Sequence, residues 1–176
     1  ITVNQGDLLS GGTVEGGDAT DTLALATGDA TLDLSSTTLT SVEVIAGNSS
    51  ANAITVNQDD LLAGGTVSGG DATDTLALVS SETTLDLSST TLSSVEVILG
   101  NSNANIITVN QSDLLSGGSV DGGAATDTLA LATGDAALDL SSTTLTSVEV
   151  IAGNANANTI TVNQADLLSG GTVDGG

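Results

Sequence analysis

The phrase "GGDATDTLAL" occupies residues 16–25, returns unchanged at 69–78, and comes back as "GGAATDTLAL" at 122–131. The interval is 53 residues both times, and it holds for the surrounding text as well: "ITVNQ" begins at Ile1, Ile54, Ile107 and Ile160. No insertion or deletion breaks the register. Copies folding as separate beads tolerate length changes at their linkers, whereas stacked copies do not. A strict period therefore points to a solenoid. The chain divides into 1–53, 54–106, 107–159 and a partial copy at 160–176, read as one continuous body over 1–176. It starts and stops inside a copy and begins at Ile, which leads us to expect a section of a longer array.

Within a copy the apolar residues come in short runs, "ITV", "TLAL", "TLDL" and "SVEVI", that alternate with small or polar residues. Such runs, rich in β-branched side chains and bounded by "SGG", "TGD" and "AGN", read as strands joined by turns. Only "DLLSGG" suggests a single helical turn. Cutting at the turns gives segments 22–30, 31–39, 40–48, 49–57, 58–65 and 66–74, all of eight or nine residues. Two segments per coil predict a two-sheet coil of about 18 residues, about three coils per copy and about ten in the chain. A triangular section, or two longer coils per copy, fits the same text. The expected fold is all-β: a parallel β-solenoid, β-roll-like.

Composition narrows the core and the partners. The chain has 22 acidic residues and no Lys, Arg or His, for a formal charge of −22, yet 39% of its residues are apolar. Disorder requires low hydrophobicity as well as charge, so this chain can still bury a core. With no Phe, Trp, Tyr or Met, that core must be thin and regular. Phosphate backbones and anionic membranes find no cation here, and no apolar run reaches the ~18 residues of a membrane span. Divalent cations, basic partners or a salty medium suit the surface. Disulfides and thiolate chemistry are excluded by the absence of Cys. Most general bases and nucleophiles are missing too. A carboxylate pair for glycoside cleavage would lack both an aromatic platform and a unique cleft. No catalysis is expected.

The polar positions sort by copy. Asn48, Asn101 and Asn154 follow a Gly at presumptive corners, with Asn52, Asn105 and Asn158 shortly after; their amides are expected to bond neighbouring coils. Asn48-Ser49-Ser50 also spells a glycosylation sequon, in one copy only. Asp7, Asp60, Asp113 and Asp166 precede "LL" in all four copies. Asp33, Asp86 and Asp139 in "LDL", and Glu43, Glu96 and Glu149 in "VEV", alternate with apolar residues and are expected to face solvent.

"GGDATDTLA" resembles the nonapeptide G-G-x-G-x-D-x-U-x of the RTX (repeats-in-toxin) calcium β-roll. Gly16, Gly17, Asp21 and Leu23 match, as do Gly69, Gly70, Asp74 and Leu76, and Gly122, Gly123, Asp127 and Leu129; Ala stands in place of the third Gly. The text "LDLSSTTLTSVEVIAGNANANTITVNQADLL" is similar to the repeat regions of giant secreted bacterial adhesins. The resemblance implies calcium in the turns, with Gly16, Gly17, Asp18, Asp21, Gly69, Gly70, Asp71, Asp74, Gly122, Gly123 and Asp127 as the candidate site residues. Calcium takes six to eight oxygens and mixes carboxylates with main-chain carbonyls, which glycines allow to turn inward. Here the phrase stands alone in each copy, whereas β-rolls run it in tandem.

From this follows an expectation of function. The chain reads as a shaft segment of an extracellular bacterial surface fibre or giant adhesin, calcium-stabilised, assembling with itself end to end or laterally. The alternative is a calcium-dependent adhesion module with a glycan, mineral or ice face. Its outward threonines do not form one Thr-x-Thr column through every coil, which weighs against ice.

Overall fold

The computed structural model describes all residues, Ile1–Gly176. It is a parallel β-solenoid, as the repeat requires. Twenty short strands and four 3-10 turns follow one another, and every strand pairing is parallel. Partners are separated by 22 residues at nearly every pairing, as in Thr31↔Ala53 and Ala53↔Thr75. The separation widens to 25 where a "TV" strand meets the following "TL" strand, as in Thr66↔Thr91. A coil therefore holds about 22 residues and not about 18.

Every third element along the chain lies on the same face. One face runs through Thr31–Asp33, Ala53–Val56, Thr75–Leu78, Val97–Asn101, Ser119–Gly123 and Thr144–Thr146 in unbroken register. The other two faces do the same, each interrupted once by a 3-10 turn, at Gln58–Asp60 or Gln111–Asp113. The section is thus three-sided, and the chain makes eight coils. Adjacent strands lie ~4.8 Å apart, so the rod is ~38 Å long.

Each copy contributes seven elements to three faces. One copy therefore spans two and one third coils, and three copies, 159 residues, close on seven. Successive copies are rotated by a third of a turn about the axis. The two-sheet segmentation misses this because the apolar runs shift phase from one connection to the next. The 22-residue spacing arises only from the sum of three unequal connections.

The interior is a set of aliphatic columns. Leu32, Ile54, Leu76, Ile98, Val120 and Leu145 stand in register on one face. Leu85, Ile107, Leu129 and Ile151 do so on a second, with Val173 exposed at the end of that column, and Leu23, Ile45, Val67 and Leu92 on the third. Twenty-seven such side chains form one continuous cluster. The faces enclose space for branched aliphatics alone, and alternation in the strand sends Thr, Ala and Ser outward.

The paired glycines are set by how closely the coils approach at the corners. A Cβ on Gly69 would run into the carbonyl oxygen of Ser94 in the coil above, and Gly16 and Gly122 meet Ser41 and Ser147 in the same way. Those serines sit in the left-handed region, at φ 51–52°, which turns their carbonyls toward the glycines. Gly70 adopts φ +129° and lies against the carbonyl of Asn48 in the coil below. Gly6 is the opposite case, with open space around its Cβ position and Asp59, Ser112 or Ala165 in the other copies.

We predict that Gly69→Ala lowers unfolding free energy by about 2 kcal/mol or more through forced overpacking. Gly6→Ala is expected to change it by less than about 1 kcal/mol. Chemical denaturation of the two variants compares them directly.

Candidate functional site

Three sets of polar residues could carry function: the glycine-aspartate corner, the asparagine corner and the N-Q-x-D turn. Each is built by coil-to-coil stacking, so the residues that meet are 19–28 positions apart in the chain.

At the glycine-aspartate corner, Asn52, Asp74, Glu96 and Gly118 stand one above another. The Asn52 N–H donates to Asp74 Oδ1 at 2.6 Å, and the Asp74 N–H donates to Glu96 Oε2 at 2.8 Å. Asn105, Asp127 and Glu149 repeat this at 2.6 and 2.8 Å, and the Asp21 N–H reaches Glu43 at 2.8 Å. Asp74 and Asp127 are fully buried, and the second carboxylate oxygen of each, Oδ2, has no partner. Burial pushes both carboxyls above the ordinary carboxylate range, with Glu96 or Glu149 adding to the rise and the asparagine N–H opposing it.

This corner corrects the expectation for Glu43, Glu96 and Glu149. They are half-buried and cap a main-chain N–H of the coil below; they are not freely solvated. Asp33, Asp86 and Asp139 are exposed as expected, and each accepts from a serine N–H two residues on, at 2.9 Å. That bond holds the Asp139 carboxyl below its usual range.

The candidate calcium residues are placed unevenly. Gly69, Asp74, Gly122 and Asp127 are buried, whereas Asp18 and Asp71 are exposed, and Ala124 takes their place in the third copy. The neighbours of the phrase also differ from those a nine-residue segmentation gives. The coil below Gly69–Asp74 supplies Gly47–Asn52, and the coil above supplies Ser94–Glu96. No three acidic side chains gather into a cluster.

The asparagine corner matches its sequence reading at Asn48, Asn101 and Asn154, whereas the side chains of Asn105 and Asn158 bond within their own corner and not to a neighbouring coil. Asn101 Nδ2 donates to the carbonyls of Val79 and Glu82 in the coil below, at 2.7 and 2.8 Å. Its Oδ1 accepts from the Asn103 N–H at 2.8 Å. Asn48 and Asn154 repeat the pattern. Asn105 Oδ1 closes the corner by accepting the Asn101 N–H at 2.7 Å. The sequon at Asn48 is thus occupied: its amide nitrogen is engaged by Ala26 and Asp29, at 2.8 Å each.

The N-Q-x-D turn carries a role that sequence reasoning missed. The 3-10 helix covers Gln5–Asp7, Gln58–Asp60, Gln111–Asp113 and Gln164–Asp166, just before the place where "DLLSGG" suggested a helical turn. Asp113 Oδ2 accepts the Asn110 N–H at 2.8 Å and its side-chain amide at 3.2 Å. Its Oδ1 faces the Leu92 N–H of the coil below at 3.5 Å; Asp166 and Leu145 make the same contact at 3.2 Å. Upward, the Gln58 amide takes the Asp86 N–H at 2.6 Å and donates to the Asp86 carbonyl at 3.1 Å. Gln5 and Gln111 do likewise with Asp33 and Asp139. A side-chain amide thus presents to the next strand the donor and acceptor that a peptide group would. Burial raises the carboxyls of Asp60 and Asp113, against the lowering effect of their asparagine bonds. The one legible signal for this role was the invariance of Gln and Asp beside a variable residue in all four copies.

The surface offers only shallow clefts. The largest, about 190 Å³, lies between Thr37–Leu39, Asn57, Asp59, Asp60 and Glu82. No helix is long and apolar enough to cross a membrane. A scan against protein-family models finds no match, and searches of curated proteins and of solved structures find none either.

Two predictions follow from the corners. Replacing Asn101 by Ala removes several part-buried bonds, each contributing ~1 kcal/mol, so a loss of about 2–3 kcal/mol is expected in denaturant melts. Asn103→Ala, which removes one solvent-exposed bond and one longer bond of 3.2 Å, should cost less. The second prediction concerns pH. Burial holds the Asp60, Asp74, Asp113 and Asp127 carboxyls above the ordinary carboxylate range in the folded chain, so folding favours their protonated forms. Their contribution is fully present below the unfolded value and is lost as pH rises through the raised folded values. Asp139 has the opposite sign, contributing above its unfolded value and losing that contribution on acidification. Tm should therefore rise as pH is lowered toward the ordinary carboxylate range, and the rise should shrink in Asp74→Asn/Asp127→Asn.

Proposed function

We propose that this chain is a length of shaft: a non-catalytic spacer in an extracellular bacterial surface fibre or giant adhesin. The observation that carries the reading is the mismatch between copy and coil. Each copy spans two and one third coils, so an exposed feature of one copy reappears a third of a turn away in the next. A flat face for ice, mineral or glycan needs the same side chains stacked on one side, and this screw spreads them over all three. For a shaft the mismatch costs nothing, and it gives the rod the same character on every side. Each added copy extends the rod by ~11 Å, at ~4.8 Å per coil.

Composition supports the same reading. The surface is acidic on all sides, and no side chain is a cation, thiol, thioether or aromatic ring. Close packing between bare rods is opposed by like charge within a Debye length of ~8 Å at physiological salt. Divalent cations are the natural counter-charge. Calcium has one specific foothold, the unpartnered buried oxygens of Asp74 and Asp127. A carboxylate oxygen amid the main-chain carbonyls of a glycine corner is the kind of donor set calcium uses, and a bound ion would neutralise charge that nothing else in the chain offsets.

Electron microscopy of arrays with increasing copy number tests the shaft. Thin fibres lengthening by ~11 Å per copy are expected, whereas compact particles would overturn the reading. The calcium component is tested by thermal melts in chelator and in millimolar calcium at matched ionic strength. A higher Tm in calcium that is lost in Asp74→Asn/Asp127→Asn is expected, and coincident melts would remove calcium from the account.

A further inference from the structure

We propose that the folded rod is a polyelectrolyte with the line charge of duplex DNA, and that its partner is an extended lysine- or arginine-rich peptide segment lying along it. The proposal rests on coil geometry and charge, and it stands whether or not the rod is a shaft.

Folding sets the charge density. The chain carries 22 carboxylates and no cationic side chain. Fully extended at ~3.6 Å per residue, it would span ~630 Å, with one charge per ~29 Å. Wound into eight coils, the same charges share ~38 Å, one per ~1.7 Å. Double-stranded DNA carries one per ~1.7 Å as well. Asp60, Asp74, Asp113, Asp127 and Asp166 are buried, and without them the spacing is still ~2.2 Å.

The charge surrounds the axis. Asp33, Asp86 and Asp139 are one position of the copy, yet they stand on three different faces. That follows from the third of a turn between copies. Glu15, Asp18, Asp59 and Asp71 project into solvent at strand ends, turns and connections. No cationic side chain lies beside any of them, so each is balanced only from solution. Two unit charges in water interact by one unit of thermal energy at ~7 Å. Charges ~2 Å apart along a rod are far inside that distance, and small cations condense on such a rod as they do on DNA.

A polycation lying along the rod releases condensed ions, and the gain grows with the number of carboxylates it covers. A single small cation covers few. About 11 residues of extended peptide, at ~3.4 Å each, run the full height of the eight coils. The rod presents acid to such a peptide on every side, and it has no aromatic ring with which to read particular side chains. What is recognised is therefore charge and extension, independent of sequence.

Fluorescence anisotropy of labelled octalysine with the folded chain tests this, with circular dichroism verifying the β-fold at each salt concentration. Affinity is expected to fall about a hundredfold or more between about 50 mM and about 200 mM NaCl, as counterion release demands. A smaller fall, or no binding at the lower salt, overturns the proposal. The chain unfolded in urea at the same ionic strength should bind at least about tenfold more weakly, since its charges lie ~29 Å apart. Equal binding by the unfolded chain overturns the role of the rod. The third measurement uses Glu15→Gln/Asp18→Asn/Asp59→Asn/Asp71→Asn, at four exposed positions outside the coil-to-coil bonds. Its spacing is still ~2.1 Å, so less than about a tenfold loss of affinity is expected. A larger loss would assign the peptide to a local acidic site and overturn the proposal. None of these outcomes depends on the fibre lengths that test the shaft.

Discussion

The parallel ladder between coils is the interaction on which everything else in this molecule depends. Each strand is only two to five residues long and has almost no partners in its own coil. Its main-chain groups are paired by the coil below and the coil above, and its inward side chain packs on equivalents one coil away. An isolated copy would expose two unpaired edges and half a core, which is why stability in solenoids is a nearest-neighbour property. The demand for uniform vertical spacing then selects the composition. Branched aliphatics stack inside, and nothing larger than glycine fits where Ser94 closes on Gly69.

The same demand explains how so acidic a chain holds buried carboxylates. Asp60, Asp74, Asp113 and Asp127 are not paired with cationic side chains, since the chain has none. They accept N–H groups at places where the ladder would otherwise leave a donor unmet: the corner N–H of Asn52 or Asn105, and the N-cap of the 3-10 turn. A buried donor left without an acceptor costs ~1–3 kcal/mol, enough to justify a partly desolvated carboxylate. Glu96 and Gln58 serve the same need from an adjacent coil. Most polar residues that invite a functional reading are therefore occupied in holding coils together. Among the buried side chains, the free Oδ2 atoms of Asp74 and Asp127 are the exception.

Much of this was legible in the text. The short alternating runs gave the strands, the unbroken period gave the stacking, and Gly-Asn corners predicted the asparagine bonds that Asn48, Asn101 and Asn154 make. Less legible was the partner of each residue. Asn52 belongs to the first copy, yet its ladder neighbours Asp74 and Glu96 belong to the second. Nothing local in "VEV" distinguishes a solvated glutamate from one capping the coil below. Likewise "NQxD" looks like any polar turn until a strand is placed above it to receive the glutamine amide.

The sequence by itself determined that the chain is all-β, that its copies share one continuous body, and that its core is aliphatic and its surface acidic. These follow from alternation, strict period and residue type, which are local or cumulative properties. Tertiary structure alone decided the length of a coil, the three-sided section and the third of a turn between copies. Coil length is the sum of three strands and three unequal connections. A change of a few residues in that sum gives every side chain a new vertical neighbour, and only assembling the coils shows which sum buries the columns and pairs the ladder.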